Sequence, residues 1–173
     1  MSNKASIHQS LQGFIIHSCL ISYGLINAII NAIIFFLINR KHGEFTASIL
    51  YVDLAVTTFI LSVIVAFFAF MAVKGAAKKG NPFVAAFGRQ DHLLIKGFPK
   101  NNILAALLIG MINTILVPAL FVGIAAGLNL LPMGLLAATL LKGAACGTAG
   151  ALTGYLAIMS AALEMEQEAV EAA

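Results

Sequence analysis

Gly24-Leu25-Ile26-Asn27-Ala28-Ile29-Ile30-Asn31-Ala32-Ile33-Ile34-Phe35 aligns without a gap to Gly110-Met111-Ile112-Asn113-Thr114-Ile115-Leu116-Val117-Pro118-Ala119-Leu120-Phe121. Five of the twelve positions are identical, and most others exchange one apolar residue for another. Both stretches lie inside long uncharged runs, 86 positions apart. Each carries an asparagine that would fall in the apolar centre of a membrane helix, where an unbonded amide is costly. The pattern predicts a two-helix unit duplicated in tandem, with its polar residues meeting at the repeat interface. Repeated halves with polar groups at mid-membrane are a common transporter design.

The rest of the chain suits a lipid environment. Apolar residues make up 61%, charged residues 10%, and the mean hydropathy is +0.99, outside the range of an ordinary soluble domain. Uncharged runs cover 5–39, 45–73 apart from Asp53, 101–141 and 143–163. A span needs ~20 mostly apolar residues, and Asn129-Leu130-Leu131-Pro132 breaks the third run into two. Four helices are therefore expected at about 13–38, 46–73, 102–128 and 133–163. The expected fold class is an all-α integral membrane protein, a single membrane domain over 1–173 built as two tandem parallel two-helix repeats. Because each unit crosses twice, the copies keep one orientation and are related by an axis along the membrane normal.

Positive charge sets the expected orientation. Lys4, Lys74, Lys78, Lys79, Arg89, Lys96 and Lys100 fall before the first helix or in the connection 75–101 and its edge; only Arg40 and Lys41 lie in the first connection. Both termini and the 75–101 loop are thus expected in the cytoplasm, with the protein in the plasma (bacterial inner) membrane. The acidic tail 164–173, with Glu164, Glu166, Glu168 and Glu171, joins them there. The net charge of +3 is a topology signal and does not point to nucleic acid. Polar Ser6, His8, Gln9, Ser10 and Gln12 and the long apolar run that follows do not read as a cleavable signal. In the basic loop, Phe83, Phe87, Leu93, Leu94, Ile95 and Phe98 alternate with Arg89, Lys96 and Lys100, a mixture suited to anionic lipid headgroups. A basic tether without a lipid role fits that loop equally well.

Helix four carries a packing signal. Gly143, Gly147, Gly150, Gly154, Ala157 and Ala161 recur at alternating spacings of four and three, one side-chain-poor stripe down the helix. Such stripes let backbones approach closely, here with helix three or helix one as the expected partner, or with a second copy. Helix three contains Pro118, which removes the hydrogen bond to the carbonyl of Thr114. The result is a hinge or polar spot beside Asn113, or a kink that serves packing alone.

Two charges fall within the spans, Asp53 on helix two and Lys142 on helix four, each about six residues (~9 Å) outward from its helix midpoint. A carboxylate inside a span is the foremost functional candidate. Asn31 comes at a similar height, so a cluster of Asn31, Asp53 and Lys142 is expected, above a neutral polar layer of Asn27, Thr57, Asn113, Thr114 and Cys146. A static Asp53–Lys142 pair, or a lysine that snorkels to headgroups, would explain the charges without transport. His17 precedes Gly24 and Asn31 at intervals of seven, which would put the three on one face. Cys19 and Cys146 form no redox or metal spacing, and no zinc or haem ligand set occurs, so no metal and no cofactor is expected.

An enzyme is not expected: no serine–histidine–carboxylate set, paired carboxylates or phosphate-binding glycine loop occurs. The expected function is a transporter or channel-like permease for a small polar solute, ion or lipid headgroup, without ATP hydrolysis of its own. The alternative is a non-transporting subunit or assembly partner of a larger membrane complex. Four helices enclose little space, so homo-oligomers or partner membrane subunits are expected in either case.

Overall fold

A computed structural model of the chain describes residues 13, 15–78, 98–99 and 101–171, with the side chain of 77 and those beyond 161 excepted. Among the described residues it is all-helical apart from two short paired strands, with four helices long and apolar enough to cross a membrane. Helix α1 spans Ile16–Asn39, α2 Ala47–Lys78, α3 Asn102–Gly127 and α4 Leu135–Glu171. The acidic stretch 164–171 continues the backbone of α4, and Gly75 to Lys78 close α2; most of the basic loop, including Lys79, Arg89, Lys96 and Lys100, lies outside the described residues.

Short polar signals set the helix ends. Asn39, the last residue of α1, donates its side-chain amide back to Phe35 O on its own helix at 3.0 Å. Asn101 caps α3, its side-chain oxygen accepting from the Ile103 amide at 2.8 Å. At the far end of α3, Leu130 N–H reaches Ala125 O at 2.9 Å and Asn129 N–H reaches Ala126 O at 3.0 Å. Asn129 has φ +55°, a left-handed position that asparagine tolerates, so the chain leaves α3 through a Schellman closure.

The α1–α2 and α3–α4 connections lie at the same end of the bundle, here called the hairpin end. They are joined there by two-residue strands, β1 (Glu44–Phe45) and β2 (Met133–Gly134), paired antiparallel with Glu44 opposite Gly134 and Phe45 opposite Met133. Phe45 is buried beneath this clasp, its ring 5.2 Å from that of Phe35. Leu50, Leu54, Val117, Val122, Met133 and Ala138 complete an apolar cluster at this end. A second cluster, around Ala66, Phe70, Ala105, Ile109, Ala157 and Ile158, fills the opposite half.

Helix α4 is the hub, packing on all three others, whereas α1 leans on α4 and makes only marginal contact with α2 and α3. The most apolar stretch of α1 is accordingly 11% buried, against 44%, 39% and 44% for α2, α3 and α4. The small-residue stripe explains the docking of α1. Gly143 faces Ala28 and Ala32, Gly147 faces Ala28, and Gly150 and Gly154 face the backbone and ring of Tyr23. A methyl at Gly147 would meet the Ala28 methyl at 2.9 Å; one at Gly150 would overlap the Tyr23 carbonyl oxygen. The partner of the stripe is helix one.

Residues Ile16–Leu25 of α1 form a π-helix, with Ile26 N–H bonding to Ile21 O. Each such i→i+5 bond spans one more residue than the α-helical bond and so widens the turn, and heptad spacing does not hold a face there. Gly24 is buried against α4, but His17 is exposed.

Candidate functional site

Lys142 is 3% exposed, and its ammonium sits where α1, α2 and α4 meet. All three donors of the ammonium have acceptors. It donates to Asp53 Oδ2, to Thr57 Oγ1 at 2.6 Å and to the Asp53 backbone oxygen at 3.3 Å. The Phe35 ring centroid lies 5.7 Å away, within cation–π range. Asp53 and Thr57 stand one turn apart on α2, and Thr57 Oγ1 donates in turn to Asp53 O at 2.7 Å. Phe59 and Val63 occupy the edge of α2 that meets Gly110 of α3, which leaves Asp53 and Thr57 on the edge away from α3. The two partners differ in access: the lysine side chain is 4% exposed, that of the aspartate 38%.

Asn31 does not join this group. Its amide donates to Asn27 O at 2.9 Å, and Asn27 donates to Tyr23 O at 2.7 Å, so both are bonded within α1. The side chain that α1 brings to Lys142 is Phe35. An asparagine within reach of its own i−4 carbonyl is satisfied locally, whereas Phe35 offers the ammonium only a ring face.

A second polar group lies deeper. Asn113 Nδ2 donates to Ser62 Oγ at 2.9 Å and to Thr153 Oγ1 at 2.7 Å, and Thr153 Oγ1 donates to Ser62 Oγ at 2.9 Å. All three residues are 0% exposed, and they come from α3, α2 and α4. Ser62 is nine residues past Asp53 on α2, ~13 Å of helical rise toward the end opposite the hairpins, the open end. Among the described residues Asn113 Oδ1 has no partner, and neither does the buried Thr139 Oγ1, one turn from Lys142 on α4. Thr114 takes no part, since its hydroxyl donates to Gly110 O at 2.7 Å. Pro118, buried inside a continuous α3, leaves the Thr114 carbonyl, one residue from Asn113, without its helical donor. Thr58 and Cys146, both 0% exposed, fill the seam between pair and triad.

Two residues of the triad, Ser62 and Thr153, escape a sequence reading. Serine and threonine are common in apolar helices and usually bond their own backbone, so neither stands out by type. Depth gives the available signal: counted from the hairpin end, Ser62 is fifteen residues into α2, Thr153 eighteen into α4 and Asn113 fourteen back along α3. Compared with family models, curated proteins and solved structures, the chain matches none.

Proposed function

We propose that the chain is an integral membrane protein that passes a small polar solute or ion along the α2–α4 seam, with Asp53 as the group that meets it. The observation carrying this reading is the unequal access of the pair: a sealed ammonium occupies a carboxylate that is itself 38% open. Three acceptor bonds and a ring face hold Lys142 as a built-in occupant of a cation-shaped site. A solute that engages Asp53 and Thr57 competes with that occupant. The Asn113 triad and the freed Thr114 carbonyl then offer polar contacts about half a helix deeper, where an unbonded polar group is otherwise costly.

The repeat belongs to the same proposal, and three contacts support it. Gly24 of α1 packs on Gly147 and Ala151 of α4, and its counterpart Gly110 of α3 packs on Phe59 and Val63 of α2. Exchange of the two halves carries one contact onto the other. Asn113 bonds Ser62 on α2, and Asn27 lies against Gly150, the matching place on α4. With no hydroxyl there, Asn27 turns to its own helix. The β1–β2 pair joins equivalent loops about the same axis. Orientation in the bacterial inner membrane, with cytoplasmic termini, follows from the distribution of lysine and arginine.

An assembly role is favoured by one feature, the apolar clusters that fill the bundle on both sides of the polar seam. Flux measured in proteoliposomes separates the two readings. Solute or ion entry that depends on Asp53, and is lost in Asp53→Asn without loss of folded protein, supports passage. Equal flux through protein-containing and empty vesicles for ions, amines and small polar solutes would leave the assembly role.

A further inference from the structure

At the open end, α2 and α3 together line a groove of about 530 Å³, far from the Asp53 pair. Its floor is Phe70 and Ala106, both buried, and its walls include the exposed Phe67, Met71, Ile103 and Leu107. Lys74, Asn101 and Asn102 line the same groove and are its polar members. The deepest member on α2, Val63, is eleven residues from Lys74, ~16 Å of helical rise. That depth is about half of the ~30 Å hydrocarbon core, one leaflet.

We infer that this groove is a binding site for a phospholipid with a net negative headgroup. One acyl chain lies along Phe67, Phe70 and Leu107, and the phosphate meets Lys74 and the amides of Asn101 and Asn102. The inference rests on the membrane reading above but not on transport. Charge selects the occupant. The groove is apolar for the length of one leaflet and cationic at the headgroup level, and Lys78 adds a second exposed positive charge one turn beyond Lys74. Basic pockets between membrane helices hold anionic headgroups by the same combination. A neutral lipid would fill the apolar part and leave the lysine charge unmet by the ligand. A polypeptide segment would fill it without selecting lipid at all.

The test uses the full chain, purified in mild detergent and mixed with equal amounts of phosphatidylglycerol and phosphatidylcholine. Protein is then separated by size exclusion and the retained lipid quantified by mass spectrometry. The wild type is expected to enrich the anionic lipid. Lys74→Gln should lower that enrichment about fivefold while total lipid is kept. Leu107→Trp, which fills the groove from its exposed wall, should lower retention of both lipids. A wild-type ratio equal to the input, or one unchanged in Lys74→Gln, would overturn the anionic site. So would an absence of retained lipid with no response to Leu107→Trp, the result for a groove filled by polypeptide. Recovery of the chain in a detergent-free soluble fraction would instead refute the membrane reading beneath it.

Discussion

Removing one member of the Asp53–Lys142 pair should not be equivalent to removing the other. Breaking a buried ion pair from one side typically costs about 3–5 kcal/mol, because a charge is stranded. In Asp53→Asn the stranded group is the ammonium, whose side chain is only 4% exposed. It retains Thr57 Oγ1 and the backbone oxygen of residue 53, and an amide oxygen can still accept from it. Those contacts reduce the expected loss to ~2–4 kcal/mol. In Lys142→Met the stranded group is a carboxylate that is 38% exposed, and methionine refills the space of the lysine stem. The loss there should be ~1–2 kcal/mol. With both charges gone, no stranded group remains, so the double variant should lie within ~1 kcal/mol of the wild type. The coupling between the two sites would then be ~2 kcal/mol or more. Reversible unfolding in mixed micelles, followed by the helical circular dichroism signal, measures all four proteins. Losses that add to within ~0.5 kcal/mol, or a larger loss for Lys142→Met than for Asp53→Asn, would refute the reasoning.

Three further outcomes follow from the packing and the charge distribution. Gly150→Ala places a methyl on the Tyr23 carbonyl, so α1 must shift as a body; a loss of ~1–3 kcal/mol is expected, read as a lower Tm. Asn113→Leu removes the unpartnered Oδ1 and leaves Ser62 and Thr153 bonded to each other, so it should change stability by less than ~1 kcal/mol; Thr153→Val, which leaves the amide half-bonded, should cost ~1–3 kcal/mol in the same unfolding assay. Single cysteines at Arg40 and Lys78 should differ in cells, with an impermeant maleimide labelling position 40 and not 78; the native Cys19 and Cys146 are buried and should stay silent.

Much of the scaffold was legible from residue type and spacing. The uncharged runs, with the third divided at Asn129–Pro132, gave four helices whose ends fall within a few residues of those observed, except where α2 and α4 continue past the apolar stretch. Helices α2 and α4 run on because lysine, alanine and glutamate propagate a helix as readily outside lipid as within it. Asp53 and Lys142 could be brought together by counting depth, since charge is rare in a span and depth is fixed by rise per residue; Thr57, expected in the layer below, instead accepts from the lysine. What could not be read was azimuth. The π-helical start of α1 departs from 3.6-residue spacing and carries His17 off the face of Gly24. The fallback of Asn27 and Asn31 onto their own carbonyls depends on what α4 presents to them, and at Gly150 it presents nothing to bond. Ser62 and Thr153 became visible only once three helices had converged on Asn113.

The clasp between Glu44–Phe45 and Met133–Gly134 has a mechanical consequence. Two helical hairpins pinned at their tips behave like the arms of tweezers: the joined ends can rotate but not part, and any separation grows toward the free ends. Phe45, wedged under the pin against Phe35, acts as the fulcrum. A few degrees of rocking there leave the Asp53 pair almost where it is, yet displace the Phe70–Ile109–Ile158 packing at the far end severalfold more. Motion about such a pin would combine small strokes beside the charged pair with large ones at the apolar seal opposite.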